Sequence, residues 1–278
     1  MMKTKILLSL GASMLAMSMS AQCVRLYRGG ELVAEYKAAE IDSVVFVEDT
    51  PEHDYVEIGG RKWATMNVGA TAVAGSPGQC YGDYFAWGET TPRYTGISYS
   101  SLGEATFSGW SEEHPDGYAH TDYPTYSGAV LDAEHDAVTQ NWGAAWRTPT
   151  LEDFQSLLMA CAGDSGDVSI GQLETAAPAG GIYWLTDQQA YLPEYNGAAG
   201  LLFVDREDTS RRMFLPAMGE MHDKTLYLGG LAGFYYGAER DADSVYGAEY
   251  MCFLPTIVSP KNTYLRFYAH PIRGVMRE

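Results

Sequence analysis

The sequence predicts an α+β fold in which mainly antiparallel sheets are combined with one or two helices. Two observations predict this class. One strongly amphipathic helical segment begins near residue 150, and many short apolar or alternating segments follow it. The chain also contains 30 glycines and 20 tyrosines, which favour frequent turns and exposed aromatic surface. No repeat with a period of roughly 20–50 residues is visible, so a solenoid is not expected.

Residues 1–21 have the pattern of a secretory signal peptide, with a positively charged start, an apolar run at 6–17 and small residues after it. The apolar run is too short to span a bilayer comfortably, so we expect export and no transmembrane segment. Cys23 raises the question of a lipid anchor, but Gln22 stands where lipidation needs a small residue. We therefore expect a secreted or cell-surface protein, with lipid anchoring at Cys23 as the less favoured alternative.

Residues 22–50 are expected to form a small N-terminal β unit. Apolar residues alternate around a glycine pair at 29–30, which is typical of a hairpin. These alternating residues are Val24, Leu26, Leu32, Ala34 and Tyr36. Residues 41–46 (IDSVVF) predict a further strand, and the acidic segment 49–54 predicts a linker.

Residues 51–278 are expected to form the main domain, in which most strands are short. A hairpin is predicted around the glycine pair at 59–60, and residues 84–88 predict a short aromatic strand. Residues 69–82 and 98–122 predict loops. Further short strands are predicted at 182–185, 200–204, 213–215, 226–228 and 250–253. Val275 is expected to lie on the final strand of the chain.

The helical segment after Pro149 carries its own start signals. Proline is excluded from helix interiors, Thr150 can cap the first turn, and Glu152 and Asp153 place carboxylates at the positive helix end. The apolar residues of this segment share one helical face and are Leu151, Phe154, Leu157 and Leu158. A second helix is predicted near residues 132–138.

Charge and cysteine usage narrow the classes of partner. The formal net charge is −18, and removal of a leader that carries two lysines lowers it to −20. So acidic a surface repels nucleic acid and anionic lipid, so neither is expected as a partner. The cysteines, Cys23, Cys80, Cys161 and Cys252, are widely spaced and form no CxxC pair, so a zinc site is not expected. Disulfides and unpaired thiols are both compatible with an exported chain.

No motif in the chain predicts a catalytic site, a metal site or a bound cofactor. Residues 163–166 (GDSG) match the nucleophile loop of chymotrypsin-like proteases, but their flanking residues and the histidine context differ, so a turn after the helix is expected. The six histidines lack HExxH spacing. A hard cation could bind the acidic cluster at 132–136, although such clusters are more often solvated helix faces. We therefore expect a protein that is not an enzyme.

The C-terminal region combines tyrosines with charged and amide side chains. Tyrosine supplies a large contact area at low entropic cost, and arginine supplies directional donors, so this composition is typical of a recognition surface. Packing of the same rings in the core of a strand-rich domain is the alternative explanation. The predicted ligand-binding residues are Tyr235, Tyr236, Arg240, Asp241, Tyr246, Asn262, Tyr264, Arg266 and Tyr268.

Five motifs occur in order at residues 62–69 (KWATMNVG), 81–89 (YGDYFAWGE), 141–142 (NW), 146–150 (WRTPT) and 214–219 (FLPAMG). Together they resemble the secreted bacterial proteins of the Fibrobacter succinogenes major paralogous domain family. Residues 24–46, which end in IDSVVF, resemble the short β segment that precedes the domain in that family. The resemblance implies a C-type-lectin-like fold of the formylglycine-generating-enzyme variety, with a twisted antiparallel sheet, flanking helices and long loops. Thr148 replaces a leucine of that pattern. The enzyme's paired reactive cysteines and the Glu-Pro-Asn motif of calcium-dependent sugar binding have no match here, so the resemblance transfers neither activity.

Segments 235–238 (YYGA), 248–253 (AEYMCF), 262–264 (NTY) and 266–275 (RFYAHPIRGV) keep the frame of a second pattern. Departures from that pattern cluster at Tyr236, Gly237, Ala238, Cys252, Thr256, Leu265 and Ala269. This arrangement resembles the ligand-binding variable region of proteins diversified by retroelements, which use the same fold. Ordinary sequence drift is the alternative. Both explanations lead us to expect a solvent-facing site near the C-terminus.

The sequence therefore predicts a secreted or cell-surface protein that binds an external protein or glycan through a tyrosine-rich C-terminal surface. An enzyme or enzyme accessory of the formylglycine-generating type is one alternative, and it requires a reactive cysteine pair. A component of a surface appendage is another, and it requires self-association. The sequence determines neither the ligand nor the oligomeric state.

Overall fold

The computed structural model describes residues 23–28, 31–37, 53–99, 105–106, 109–110, 122–222 and 225–278. It divides the chain into two compact units, Met1–Glu52 and His53–Glu278. Within the described ranges, no helix is long and apolar enough to cross a membrane. The expected signal peptide, the strand predicted at 41–46 and most of the linker predicted at 49–54 lie outside the described residues.

The first unit contains the predicted hairpin. Strands β1 (Cys23–Arg28) and β2 (Glu31–Lys37) pair antiparallel. Arg25 Nε lies 2.8 Å from Glu35 Oε2, and these two residues face each other across the hairpin. The pair is exposed, so its contribution to stability is small.

In the described residues, the second unit consists of short strands, three α-helices and a 3-10 helix. In chain order these are β3 (Tyr55–Ile58), β4 (Arg61–Asn67), α1 (Pro77–Cys80), β5 (Tyr94–Thr95), β6 (Ser98–Tyr99), β7 (Ala105–Thr106), β8 (Gly109–Trp110), α2 (Ala137–Trp142), β9 (Trp146–Arg147), α3 (Leu151–Ala162), β10 (Val168–Ser169), β11 (Gly171–Gln172), β12 (Gly181–Leu185), a 3-10 helix (Pro193–Tyr195), β13 (Gly200–Val204), β14 (Arg212–Pro216), β15 (Glu220–His222), β16 (Thr225–Tyr227), β17 (Gly233–Arg240), β18 (Gly247–Leu254), β19 (Ile257–Leu265) and β20 (Arg273–Met276).

Within the described residues, the strands of this unit form three four-stranded sheets and three two-stranded ones. Their orders are β3-β4-β20-β9, β10-β19-β18-β17, β11-β12-β13-β14, β15-β16, β5-β8 and β6-β7. All pairs are antiparallel except β11 with β12. The predicted α+β class with mostly antiparallel sheets is therefore confirmed.

Helix α3 begins and ends where the sequence predicts. The Thr150 hydroxyl accepts a hydrogen bond from the Asp153 amide, and the Asp153 carboxylate accepts one from the Thr150 amide at 2.7 Å. This reciprocal pair satisfies two amides that the helix leaves unpaired. Gly163 ends the helix with φ 78°, a left-handed conformation that suits glycine. The GDSG segment is thus the turn expected after the helix.

Helix α2 begins at Ala137 and not near residue 132 as predicted. The Asp136 carboxylate explains the difference because it accepts hydrogen bonds from the Val138 amide at 2.9 Å and from the Thr148 hydroxyl at 2.8 Å. An aspartate that caps the first turn lies outside the helix, so Asp136 sets the helix start. Asp132 instead belongs to the preceding turn.

Other segments also differ from the prediction. No strand forms at 84–88, where only Tyr84 and Phe85 make isolated bridges. The loop predicted at 69–82 contains α1, and the one predicted at 98–122 contains β6, β7 and β8. Strands β17 and β19 were not predicted, although both are among the longest in the chain. The first six residues of β17 are all buried, so no alternation of apolar and polar residues marks it as a strand.

The main core lies between α3 and the sheets. Its buried residues include Phe154, Leu157 and Leu158 from α3, which confirms these three members of the predicted apolar face. The fourth member, Leu151, is half-buried and lies outside this core. Tyr235 and Phe253 come to the same core from the C-terminal sheet. The sheet that carries most of the predicted ligand-binding residues is therefore anchored on its inner face by the helix side of the domain.

Candidate ligand-binding surface

The sheet formed by β10, β19, β18 and β17 has two covered faces at its centre. Tyr235 lies opposite Met251 and Tyr236 lies opposite Tyr250 in the register of β17 and β18. Neighbouring side chains of a strand point to opposite faces, so Tyr235 and Tyr236 lie on different sides of the sheet. Tyr235 and Met251 join the main core, whereas Tyr236 packs with Trp87 in a separate buried cluster. Neither tyrosine is therefore free to meet a ligand.

Four of the predicted ligand-binding side chains are buried, so the expectation that they face solvent is wrong. Tyr235 is 0% exposed, Tyr236 1%, Tyr268 6% and Arg266 7%. The Tyr235 hydroxyl donates to the carbonyl of Pro216 at 2.9 Å, and the Tyr236 hydroxyl donates to that of Tyr268 at 2.8 Å. Because these bonds satisfy the hydroxyl groups inside the protein, both tyrosines can occupy positions that would otherwise suit phenylalanine.

Tyr236 belongs to a histidine cluster that consists of Phe234, Tyr236, Tyr250, His270 and Glu220. His270 is 0% exposed and stacks on Tyr236 with ring centroids 4.2 Å apart, while the Tyr250 ring meets it edge-on at 5.3 Å. His270 Nε2 lies 3.0 Å from Glu220 Oε2. Burial raises the pKa of the Tyr236 hydroxyl well above 10. The cluster is a packed, hydrogen-bonded arrangement that fixes the segment after β19 against the sheet.

The cysteine chemistry of this region is that of protonated thiols. Cys252 lies opposite Phe234 on the same face of the sheet. Burial and, to a lesser extent, the Glu220 charge raise the pKa of the Cys252 thiol to about 11, and burial raises that of Cys80 to about 12. A thiol with so high a pKa carries little of the thiolate that attacks or is oxidised at neutral pH. All four cysteines are free, namely Cys23, Cys80, Cys161 and Cys252.

A connected set of rings, here called the aromatic cluster, reaches the surface at its two ends and consists of Tyr123, Tyr246, Tyr264, Phe267 and Tyr268. Tyr123 contacts Tyr246 and Phe267, each with centroids 5.1 Å apart. Phe267 contacts Tyr268 at 4.3 Å, and Tyr268 contacts Tyr264 at 5.2 Å. Tyr246 is 55% exposed and Tyr264 48%, so the two ends of the cluster reach solvent. The structure thus brings together Tyr246, Tyr264 and Tyr268 of the predicted set.

Two members of the aromatic cluster, Tyr123 and Phe267, are outside the predicted set of ligand-binding residues. Tyr123 stands more than 100 residues before Tyr246 in the chain, beside a segment that was read as loop. Such loops contribute to sites only once the scaffold has fixed their ends. Phe267 lies between the predicted residues Arg266 and Tyr268, so the aromatic density of that segment was the one signal that could have identified it.

Arg240 and Arg266, here called the arginine pair, hold the same loop. Arg240 Nη1 donates to the carbonyl of Ser127 at 3.1 Å, and Arg266 Nη1 donates to the carbonyl of the preceding residue, Tyr126. Burial, and then the nearby Arg240 charge, lower the pKa of Arg266. The pair adjoins the aromatic cluster, because the Arg266 amide donates to the Tyr246 carbonyl at 2.9 Å.

The remaining predicted residues, Asp241 and Asn262, are partly exposed and lie outside the aromatic cluster. The Asp241 carboxylate accepts a hydrogen bond from the Asp243 amide at 2.9 Å, which closes the turn after β17. Asn262 lies opposite Tyr250 in the register of β18 and β19. In the described part of the chain, neither side chain hydrogen-bonds to a member of the cluster.

The acidic cluster at 132–136 is used within the fold. Asp132 accepts hydrogen bonds from the amides of Glu134 and His135 and lies 2.7 Å from His135 Nδ1, while Asp136 caps α2. The His135 bond lowers the pKa of Asp132. Among the residues the structure describes, no three histidine, cysteine or carboxylate side chains are grouped in a way that could hold a metal ion.

No protein-family model matches this chain, and comparisons with curated proteins and with solved structures likewise find no match.

Proposed function

We propose that this chain is an exported or cell-surface protein without enzymatic activity that binds an external protein or glycan through the aromatic cluster. The observation that carries the proposal is the contact of five rings from separate chain segments, with Tyr246 and Tyr264 about half exposed at its two ends. Clustered tyrosines on a rigid support offer a large contact area at low entropic cost, which is typical of recognition surfaces. The buried histidine cluster and arginine pair beside it supply that support.

We also propose that His53–Glu278 has a C-type-lectin-like architecture. The support for this is the ordered set of motifs that resemble the major paralogous domain, among them WRTPT at 146–150, which leads into α3. Mostly antiparallel sheets around one long capped helix are compatible with such an architecture. In the retroelement-diversified proteins that the C-terminal segments resemble, the variable residues lie near the C-terminus, as the aromatic cluster largely does.

The state of the thiols favours binding over the alternative of a formylglycine-generating type of enzyme. That chemistry needs a pair of reactive cysteines, whereas Cys252 is free and burial raises its pKa to about 11. Cys80 and Cys161 are buried in the main core, away from solvent. Thiols in these settings are inert rather than catalytic.

The proposal is tested with an array that carries neutral glycans, acidic glycans and purified extracellular proteins. We compare the wild type with the double variant Tyr246→Ala/Tyr264→Ala and with a matched control, Tyr55→Ala/Tyr191→Ala, whose tyrosines are similarly exposed at 45% and 47%. We expect at least tenfold weaker binding to the recognised probe for the first variant and no change for the control. Circular dichroism checks that both variants are folded.

Two outcomes contradict the proposal. Either the wild type binds no probe on the array, or both double variants lose binding equally. Sedimentation at micromolar concentration identifies the surface-appendage alternative, which requires the wild type to form large assemblies.

A further inference from the structure

The arginine pair adjoins the aromatic cluster in a strongly acidic protein. The chain carries 36 Asp and Glu against 18 Lys and Arg, and several of its arginines are paired with carboxylates. Arg61 Nε lies 2.8 Å from Asp153, and Arg93 Nη2 lies 2.6 Å from Glu89. Arg240 and Arg266 instead donate only to backbone carbonyls within the described part of the chain. Within the described residues, neither guanidinium therefore forms an ion pair with a carboxylate.

The guanidinium groups of the pair also have unused donors. The Nε atoms of Arg240 and Arg266 are buried and have no hydrogen-bond partner. The Nη2 atoms make no hydrogen bond in the described structure either, and they are not among the fully buried unpaired nitrogens. Each arginine has five N–H groups and keeps its charge at neutral pH, so unused donors of this kind are costly to bury. A ligand anion at the Nη2 atoms would supply a hydrogen-bond acceptor and a counter-charge together.

The carboxylates close to Arg240 on β17, on β18 and in the turn after β17 bind other groups. Glu249 is bound to Lys261 at 2.8 Å, and a Glu239 oxygen accepts the Leu151 amide at 3.1 Å. The side chains whose charges shift the pKa of Arg266 are Arg240, Tyr236 and Tyr123, with no carboxylate among them. One of these tyrosines is Tyr123, a member of the aromatic cluster. Two cations and an aromatic ring thus adjoin one another at this edge of the domain.

We propose that Arg240 and Arg266 bind the anionic substituent, a carboxylate or a sulfate, of an acidic sugar whose ring packs against Tyr123 and Tyr246. This inference rests on the proposed function and specifies its ligand. Guanidinium groups bind carboxylate and sulfate oxygens through paired charge-assisted hydrogen bonds, and tyrosine faces suit the apolar side of a sugar ring. The strong net negative charge favours a ligand with a single anionic group over a polyanion or an acidic protein surface, because repulsion grows with the number of ligand charges.

The test is calorimetric or NMR titration of the full secreted chain with four probes. These are methyl β-glucuronide, galactose 6-sulfate, the neutral methyl β-glucoside and an acidic hexapeptide. We compare the wild type with Arg240→Gln, which removes one charge from a partly exposed side chain. Arg212→Gln is the matched control, because Arg212 is also partly exposed and its Nε donates to a backbone carbonyl, that of Thr209, at 2.8 Å.

We expect the wild type to bind one or both acidic sugars at least tenfold more tightly than the neutral one. Arg240→Gln should weaken that binding at least tenfold, and Arg212→Gln should leave it unchanged. The glucuronide and sulfate arms then identify which anion is bound. Arg266→Lys, which keeps the charge at the more buried position, should weaken binding because lysine cannot form the paired hydrogen bonds.

Three results overturn the inference: equal binding of acidic and neutral sugars, equal loss in Arg240→Gln and Arg212→Gln, or binding of the hexapeptide alone. Capture of a neutral glycan that depends on Tyr246 and Tyr264 would leave the proposed function standing while the anion site fails. If no probe binds in this titration or on the array, both fail.

Discussion

Two groups of tyrosines, close together in the sequence, have opposite environments in this protein. Tyr235 and Tyr236 near the start of β17 are fully buried, whereas Tyr246, in the turn that follows this strand, is 55% exposed. The difference lies in what surrounds each hydroxyl and ring. The Tyr236 ring stacks on His270 and its hydroxyl is bonded to a carbonyl, so it serves as a core residue. Tyrosine enrichment therefore indicates aromatic packing. Whether a given tyrosine is available to a ligand depends on the residues that contact its ring and its hydroxyl.

The largest expected difference between the two groups is in stability. Tyr236→Ala should lower the free energy of unfolding by about 3–5 kcal/mol, because it removes a fully buried ring from the contact with His270 and Trp87. Tyr246→Ala should change it by less than about 0.5 kcal/mol. Urea denaturation followed by tryptophan fluorescence measures both.

A milder variant keeps this comparison informative if Tyr236→Ala does not fold. Tyr236→Phe retains the ring and removes the hydrogen bond to the Tyr268 carbonyl, so it should cost about 1–1.5 kcal/mol. The folded state raises the pKa of Tyr236, so this contribution is present below pH 10 and is lost as the pH rises further. Equal stability of Tyr236→Ala and Tyr246→Ala would show that the two groups do not differ.

A second expected difference is chemical and concerns Cys252, a half-buried thiol on the same face of the sheet as Tyr236. Its pKa of about 11, against an ordinary value of 9.0, leaves roughly 100-fold less thiolate at pH 8. A more basic thiolate is also the better nucleophile, so the net alkylation rate should be about tenfold below that of an unfolded peptide with the same sequence. Iodoacetamide labelling followed by peptide mass spectrometry measures the rate.

The pH dependence separates low thiolate content from simple shielding of Cys252. Because the thiolate is the reactive form, the rate should rise with pH and level off near pH 11 in the folded protein, but near pH 9 in the peptide. A slow reaction that levels off near pH 9 in the folded protein would mean that access alone limits it. A rate equal to that of the peptide would show that this side of the sheet is open to solvent.

Sequence reasoning succeeded where the signals are local. The cap at Thr150, the apolar face of α3 and the hairpins around glycine pairs depend on residues a few positions apart, and the structure confirms them. Sequence reasoning failed where the structure depends on contacts between residues far apart in the chain. The start of α2 depends on the Asp136 bonds to Thr148, and the burial of Tyr236 depends on His270 and Trp87.

The candidate surface was predicted only in part for the same reason. Tyr246 and Tyr264 lie in exposed positions as expected, but the ring that connects Tyr246 to the other members of the cluster is Tyr123. No local pattern could assign it. Residue type alone was enough to predict Arg240 and Arg266 as site residues. Their carbonyl partners, Ser127 and Tyr126, are distant in the chain and could not be predicted from the sequence.

Tyr264→Ala is the variant expected to change the stability of the protein least. Tyr264→Ala should change the free energy of unfolding by less than about 0.5 kcal/mol, because its ring is 48% exposed and its contact in the aromatic cluster is with one neighbour, Tyr268. Thermal unfolding of this variant beside Tyr191→Ala, which is 47% exposed elsewhere in the unit, provides the measurement. A loss above about 1.5 kcal/mol for Tyr264→Ala alone would mean that the ring supports the fold through Tyr268. A smaller loss would show that the Tyr264 ring contributes little to folding, which the proposed role in ligand contact requires.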